Sequence, residues 1–279
     1  MSLPVLSEYR RLGVNRISIG IQSFDDEELK FLSRIHSSRE SYKAFYDARE
    51  AGFSNISIDL LYALPKQKMT GWHDTLEKGT GLMPEHISAY NLTIENETPL
   101  GQLVRSKMVS ALPDDDEASF FTYTMEFLRE KGYRHYEVSN YAKPGYQSRH
   151  NLNYWNHAQY LGFGPSAHSF WGKKRWWNVS DVREYIGYLH DERLPIEDSE
   201  ELSFRQLLDE MIMLGLRTGF LDLDRVDDAC GTYMIEKARS YIEELRLQKL
   251  ITQENNVLRL TDRGFLYCDE IAKRLSLLY

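Results

Sequence analysis

The sequence predicts an α/β fold: a sheet built from strand–helix units over roughly the first two-thirds of the chain, followed by a small helical, winged-helix-like module. Three observations carry this. Short β-branched, apolar runs alternate with amphipathic stretches that bring their own capping residues. The units repeat, which implies parallel strands joined by right-handed crossovers. At residues 194–201 (LPIEDSEE) the character changes to an acidic, proline-bearing stretch that reads as a linker, so the expected domains are 1–193 and 194–279.

Residues 16–22 (RISIGIQ) are long enough for one strand. Asp25, Asp26, Glu27 and Glu28 then supply the acidic first turn that a helix dipole favours. Ser37 and Glu40 have capping-box spacing, Ala44, Phe45 and Ala48 form an apolar stripe, and Gly52 suits the helix end. A strand at 56–64 closed by Pro65, a helix at 71–79, a strand at 87–94, a helix at 114–131 and a strand at 133–138 follow. The strands look near-continuously apolar, as expected when helices cover both sheet faces. Beyond the linker, Ser203 and Gln206 make a second capping-box pair ahead of a helix carrying Phe204, Leu207, Leu208, Met211 and Ile212. A helix at about 233–248, a hairpin at 250–260 turning on Asn255 and Asn256, and a last helix at 261–275 complete the module.

A chain of 279 residues buries one large core, or a large core and a smaller one. The net charge of −8 argues against a nucleic-acid surface, and in the module Arg239, Arg246 and Lys249 are offset by Glu236, Glu243 and Glu244. No apolar run is long enough to span a bilayer and the N-terminus has no signal-peptide core, so a cytoplasmic protein is expected. Cys230 and Cys268 stand far apart and suggest neither a disulfide framework nor a metal cluster. Aromatic residues concentrate between Tyr133 and Trp177, which fits either a packed, sheet-rich region or a cleft for a flat apolar ligand.

In such folds chemistry gathers at the C-terminal ends of the strands. That rule singles out Gln22, the run after Asp59, and Thr93 with Glu95. Gln22 is a polar amide at a strand end, where it binds a ligand or caps backbone groups. Arg34 suits a carboxylate through paired hydrogen bonds or a surface salt bridge. Asp59 inside an apolar strand requires a partner or a polar cleft.

The runs GVNRISIGIQSF (13–24), LSRIH (32–36) and NISIDLLYALPKQ (55–67), followed by HISAYNLTIENETPLG (86–101), resemble successive barrel segments of the oxygen-independent coproporphyrinogen III oxidase-like radical S-adenosylmethionine (SAM) family, in order and in interval. The resemblance continues through LTDRGF (260–265) and covers nearly all of the chain. It implies about the C-terminal half of a (β/α)6-type partial TIM barrel, followed by the family's C-terminal helical domain. It also implies that Gln22, Arg34 and Asp59 contact SAM, with Arg34 on the methionine carboxylate and the other two on hydroxyl or amino groups. Thr93 falls where the family lines the adenosine pocket, and His168 of GFGPSAHS (162–169) where it closes the SAM pocket. RHNLNYW (149–155) carries the HN-x-x-YW form of the HemW branch, whose members are regarded as haem chaperones. This makes His150 a candidate haem contact with Tyr154 and Trp155 flanking the porphyrin, against a purely structural histidine. The alternative activity is that of the oxidase itself, decarboxylation of coproporphyrinogen III.

The family's C-x-x-x-C-x-x-C motif, GGTP turn and E-x-x-P strand have no counterpart in these residues. The first recognisable element matches the family's fourth strand, so three units of roughly 30 residues precede it in the family pattern. The chain therefore reads as truncated and without radical chemistry of its own, since SAM and a [4Fe–4S] cluster serve together in the intact family member. The edge of its first strand is expected to be covered by another copy, by the N-terminal residues or by crystal contacts, since an open edge is a pairing liability.

Overall fold

Apolar residues fall on alternate positions of the early strands, and this alternation decides how the first sheet is covered. The computed structural model describes residues 2–231 and 233–278, in two units, 1–147 and 148–279. In the first unit α1 (Leu3–Arg11), started by Pro4 in its first turn, precedes β1 (Ile17–Gln22). Then come α2 (Asp26–Phe31), α3 (Ser38–Glu50), β2 (Ile56–Tyr62), α4 (Met69–Gly81), β3 (His86–Asn91), α5 (Pro99–Arg105), α6 (Asp114–Glu130), β4 (Arg134–Glu137) and β5 (Asn140–Ala142). Asp25 caps α2, and the Ser37–Glu40 capping box starts α3 with both reciprocal bonds in place.

The sheet has the order β1-β2-β3-β5-β4 and is open, with β1 and β4 as its edges. β1, β2 and β3 are parallel, but β5 runs antiparallel to both β3 and β4. The all-parallel expectation fails here because the short turn between β4 and β5 permits only an antiparallel return. One sheet face is apolar: Ile17, Ile19, Ile21, Ile56, Ile58, Leu60, Ile87 and Ala89 pack with Phe45, Trp72, Leu76, Phe120, Met125 and Leu128 of the helices. Trp72 Nε1 donates to Thr124 Oγ1 at 2.8 Å, joining α4 to α6 within that layer. The other face carries Ser18, Gly20, Ser57, Asp59, His86, Ser88 and Asn140. Strands packed by helices on both faces were expected; instead the alternation in ISIGIQ and ISID sorts an apolar side from a polar one. β2 and β3 also end earlier than the apolar runs suggest, β2 turning at Ala63 with φ 60°, and Thr93 lies in the loop after β3.

The second unit opens with α7 (Arg149–Trp155), capped by Ser148, and continues with β6 (His168–Trp171), β7 (Lys174–Asn178), α8 (Val182–His190) and β8 (Ile196–Glu201). The acidic stretch read as a linker is β8, the edge of the sheet β6-β7-β8. Its glutamates oppose the cations of β7, Lys174 facing Glu201 and Arg175 facing Glu200, pairs that stabilise adjacent strands. Next come α9 (Phe204–Arg217) behind the Ser203–Gln206 capping box, β9 (Phe220–Asp222), α10 (Leu223–Cys230), α11 (Met234–Leu247), β10 (Ile251–Glu254) and β11 (Val257–Leu260). The expected hairpin forms, and β9 joins it in a sheet of order β10-β11-β9. The expected last helix is two, α12 (Asp262–Phe265) and α13 (Cys268–Leu277), separated by non-helical backbone at Tyr267 (φ −111°, ψ 14°). Leu208, Ile212, Leu216, Leu223, Ala238, Leu258, Ile271 and Leu275 fill the core of this winged-helix-like module.

Candidate functional site

The pairing of β1 with β2 shifts between Gly20 and Gln22. Gln22 takes φ 70°, a backbone conformation that a side chain disfavours. Its amide folds back over Gly20, where an added Cβ would stand 2.7 Å from Gln22 Nε2. Asp59 lies directly opposite Gly20, so the Gln22 amide and the Asp59 carboxylate share the polar face. Ser18 Oγ donates to Asp59 Oδ1 at 2.9 Å.

The polar face extends across the whole sheet. Gly20, Asp59, Ser88, Asn140 and Glu137 are successive register partners on neighbouring strands. One row towards the N-terminal ends of the parallel strands, Ser57 Oγ stands 2.8 Å from His86 Nδ1 and Tyr136 OH 2.7 Å from Nε2. Burial, helped by the nearby charge of Arg16, pushes the His86 imidazole down from 6.5 to about 3, so it is neutral and donates through one nitrogen while accepting at the other. On the opposite side of the polar row stands Tyr90. Burial raises its hydroxyl above the usual value; hydrogen bonds from the Ser88 and Asn140 side chains work against that rise, and the charges of Asp59 and Glu137 add to it.

The rim is held by residues that sequence reasoning passed over. His36 Nε2 lies 3.2 Å from the Ile21 carbonyl, which fixes the loop carrying Arg34 to the end of β1. Ser23 Oγ donates to Glu28 Oε2 at 2.5 Å, and Gln67 Nε2 donates to Glu28 Oε1 at 3.0 Å, so Glu28 ties the ends of β1 and β2 together. The available signal was the polar residues set inside apolar runs, Ser23 in QSF and Gln67 in LPKQ. Arg34 itself is exposed on an open recess shared with Lys30, Ser33 and Glu40. Thr93 is exposed in the loop following β3. Of the expected residues, the fold thus sets Gln22 and Asp59 on one face, tethers Arg34 beside that strand end, and leaves Thr93 on the loop at the same end of the sheet.

His150 and His168 belong to the second unit. His150 is exposed in α7, its ring edge-on to Tyr154 at 4.9 Å, and Tyr154 meets Tyr160 at 4.7 Å. His168 starts β6, is exposed, and stacks on Trp177 at 5.6 Å. The loop before it needs glycine, since a Cβ on Gly162 would stand 2.1 Å from the His168 carbonyl oxygen. Asn178 Nδ2 and Ser169 Oγ hold the same loop through Gly164 O and Gly162 N, each at 2.9 Å. After α7, His157 Nε2 lies 2.9 Å from Glu210 Oε2 of α9, which also takes Arg175 Nη2 at 2.8 Å. Burial opposes ionisation of Glu210, yet hydrogen bonds from Arg175 and His157 hold its carboxyl below the ordinary range.

An iron–sulfur cluster requires thiolate ligands. Cys230 and Cys268 are both buried within the winged-helix-like module, and burial raises both thiols, Cys268 to about 12. These two residues do not fit a cluster. SAM fares differently: the Gln22 amide over Gly20, the carboxylate of Asp59 and the exposed guanidinium of Arg34 are suitable partners for amino, hydroxyl and carboxylate groups such as SAM carries. An exposed imidazole at His150 with a tyrosine edge beside it likewise suits an iron-bound porphyrin.

Comparison with known proteins matches this arrangement to a class. The Radical SAM superfamily profile matches residues 2–79, and the HemN C-terminal domain profile matches residues 202–267. The solved structure of coproporphyrinogen III oxidase (HemN) from Escherichia coli, a radical SAM enzyme, superimposes with a TM-score of 0.78 over 100% of this chain and 68% of that one, at 19% identity. The chain therefore has the radical SAM fold in an open form, with the HemN-type C-terminal domain attached. At the level of sequence it is 33% identical over 272 residues to the haem chaperone HemW of Bacillus subtilis (strain 168), covering 97% of this chain and 72% of that protein. It is 44% identical over 162 residues to HemW of Escherichia coli (strain K12), covering 58% and 42%. The chain belongs to the HemW family of HemN-like radical SAM proteins.

Proposed function

We propose that the chain acts as a HemW-like haem chaperone, with SAM seated against Gln22, Arg34, Asp59 and Thr93. The family pattern adds His168 to the SAM contacts and gives His150 the haem or porphyrin. The identity to a haem chaperone over 97% of the chain carries this reading, because the likeness to the oxidase, at 19%, extends only to the fold. Arg34 would pair with the methionine carboxylate through two parallel hydrogen bonds, and Gln22 and Asp59 would take hydroxyl or amino groups. With a [4Fe–4S] cluster present, SAM supplies radical chemistry in this family; the residues named here bind and orient it.

Haem titration of the chain, followed at the Soret band, tests the reading. His150→Ala is expected to shift the band and weaken haem binding about tenfold, equivalent to about 1.4 kcal/mol. An unchanged spectrum would remove His150 from the haem site. Protoporphyrinogen formation from coproporphyrinogen III by the intact protein would instead favour the oxidase. We also propose that two copies associate through the free edge of β1, where Ser18 and Gly20 are exposed. Sedimentation velocity should then show a concentration-dependent dimer, and a monomer at all concentrations would refute it.

A further inference from the structure

The polar face beside Asp59 carries two residues with no role so far. Asn140 is 4% exposed, and its Oδ1 is buried without a hydrogen-bond partner among the described residues. Leaving such a carbonyl unsatisfied costs about 1–3 kcal/mol, which makes it a site waiting for a donor. Asn140 is the register partner of Ser88, itself the partner of Asp59, so this carbonyl sits one strand beyond the Asp59–Ser88 pair on the same row. Tyr90 follows two residues after Ser88 on β3, on the same side of the sheet and next towards the strand's C-terminal end. It is 39% exposed, and its hydroxyl is held from within by the Ser88 and Asn140 side chains. Asp59 and Glu137 make the surroundings rich in acceptors, which selects a ligand group that brings its own donors.

We infer that Tyr90 and Asn140 form a further binding subsite beside Asp59, the Tyr90 hydroxyl and the Asn140 carbonyl together taking a hydroxyl or amino group of the bound ligand. This rests on the SAM reading of Gln22 and Asp59. Tyr90→Phe keeps the ring and removes only the hydroxyl. Binding of SAM and of 5′-methylthioadenosine to the whole chain is measured by isothermal titration for wild type, Tyr90→Phe and Asp59→Asn, with melting temperatures recorded alongside. Tyr90→Phe is expected to weaken SAM binding about tenfold at unchanged melting temperature. An equal penalty for 5′-methylthioadenosine puts the contact on the nucleoside, and a penalty confined to SAM puts it on the amino-acid half. If Asp59→Asn weakens binding and Tyr90→Phe does not, the subsite is overturned while the SAM site stands. If neither variant changes binding, the SAM reading fails and the subsite with it. Weaker binding accompanied by a lower melting temperature marks a structural tyrosine and also overturns the assignment.

Discussion

A methyl group added at Gly20 would meet the end of the Gln22 side chain, a flexible group that can move aside while the sheet stays in place. Gly20→Ala is therefore expected to lower SAM affinity several-fold while leaving the urea midpoint nearly unchanged; a large loss of stability would show that the amide is locked by the backbone instead. His86 sets a pH dependence of a definite sign. Its pKa falls from 6.5 to about 3 through burial and then through Arg16, so below about 6.5 the unfolded chain binds a proton that the folded chain refuses. The stability present above pH 6.5 is lost progressively as pH falls towards 3. Urea midpoints taken across that window should decline more steeply in wild type than in His86→Gln, and parallel curves would rule out His86 as the titrating group. Gln22, Arg34 and Asp59 could be singled out in the sequence as candidates because each is a polar residue at a strand end or inside a motif. Tyr90 and Asn140 were not, because they meet only across a strand pairing that joins residues about 50 apart in the chain.

The elements were largely legible wherever they announce their own ends. Both capping boxes formed, and the Ser37 box holds the helix that follows the Arg34 loop. Ser37→Ala should cost about 1 kcal/mol of stability, read as a lower urea midpoint. Acidic composition misled at β8, since charge favours loops on average but here is answered residue for residue by Lys174 and Arg175. Another element-level clamp, invisible to local pattern, is Glu210 on α9, shared by His157 and Arg175. Glu210→Gln replaces the ion pair by a bond from the arginine to a neutral amide and leaves the half-buried guanidinium without its counter-charge. Thermal denaturation should register a loss of roughly 1.5–3 kcal/mol, larger than that of Asp209→Asn on the exposed Arg205 pair of the same helix.

At the scale of the whole molecule, the fold class followed from repeated strand–helix units, and the mixed sheet departed from it only where β4 and β5 turn back. What the units could not reveal was that one face of the first sheet remains polar. The apolar layer and the row from Gly20 to Glu137 lie on opposite sides of the same strands, at alternate residues. A slip of one residue in any strand would carry Asp59 or Ser88 into the helix layer and bring Ile58 or Ile87 out to the polar side. The spacing of the polar row, and of the ligand contacts proposed on it, is thus written in the same register that assembles the hydrophobic layer. Ligand specificity in this sheet can be altered by exchanging side chains, but the positions from which they reach are fixed by the act of folding itself.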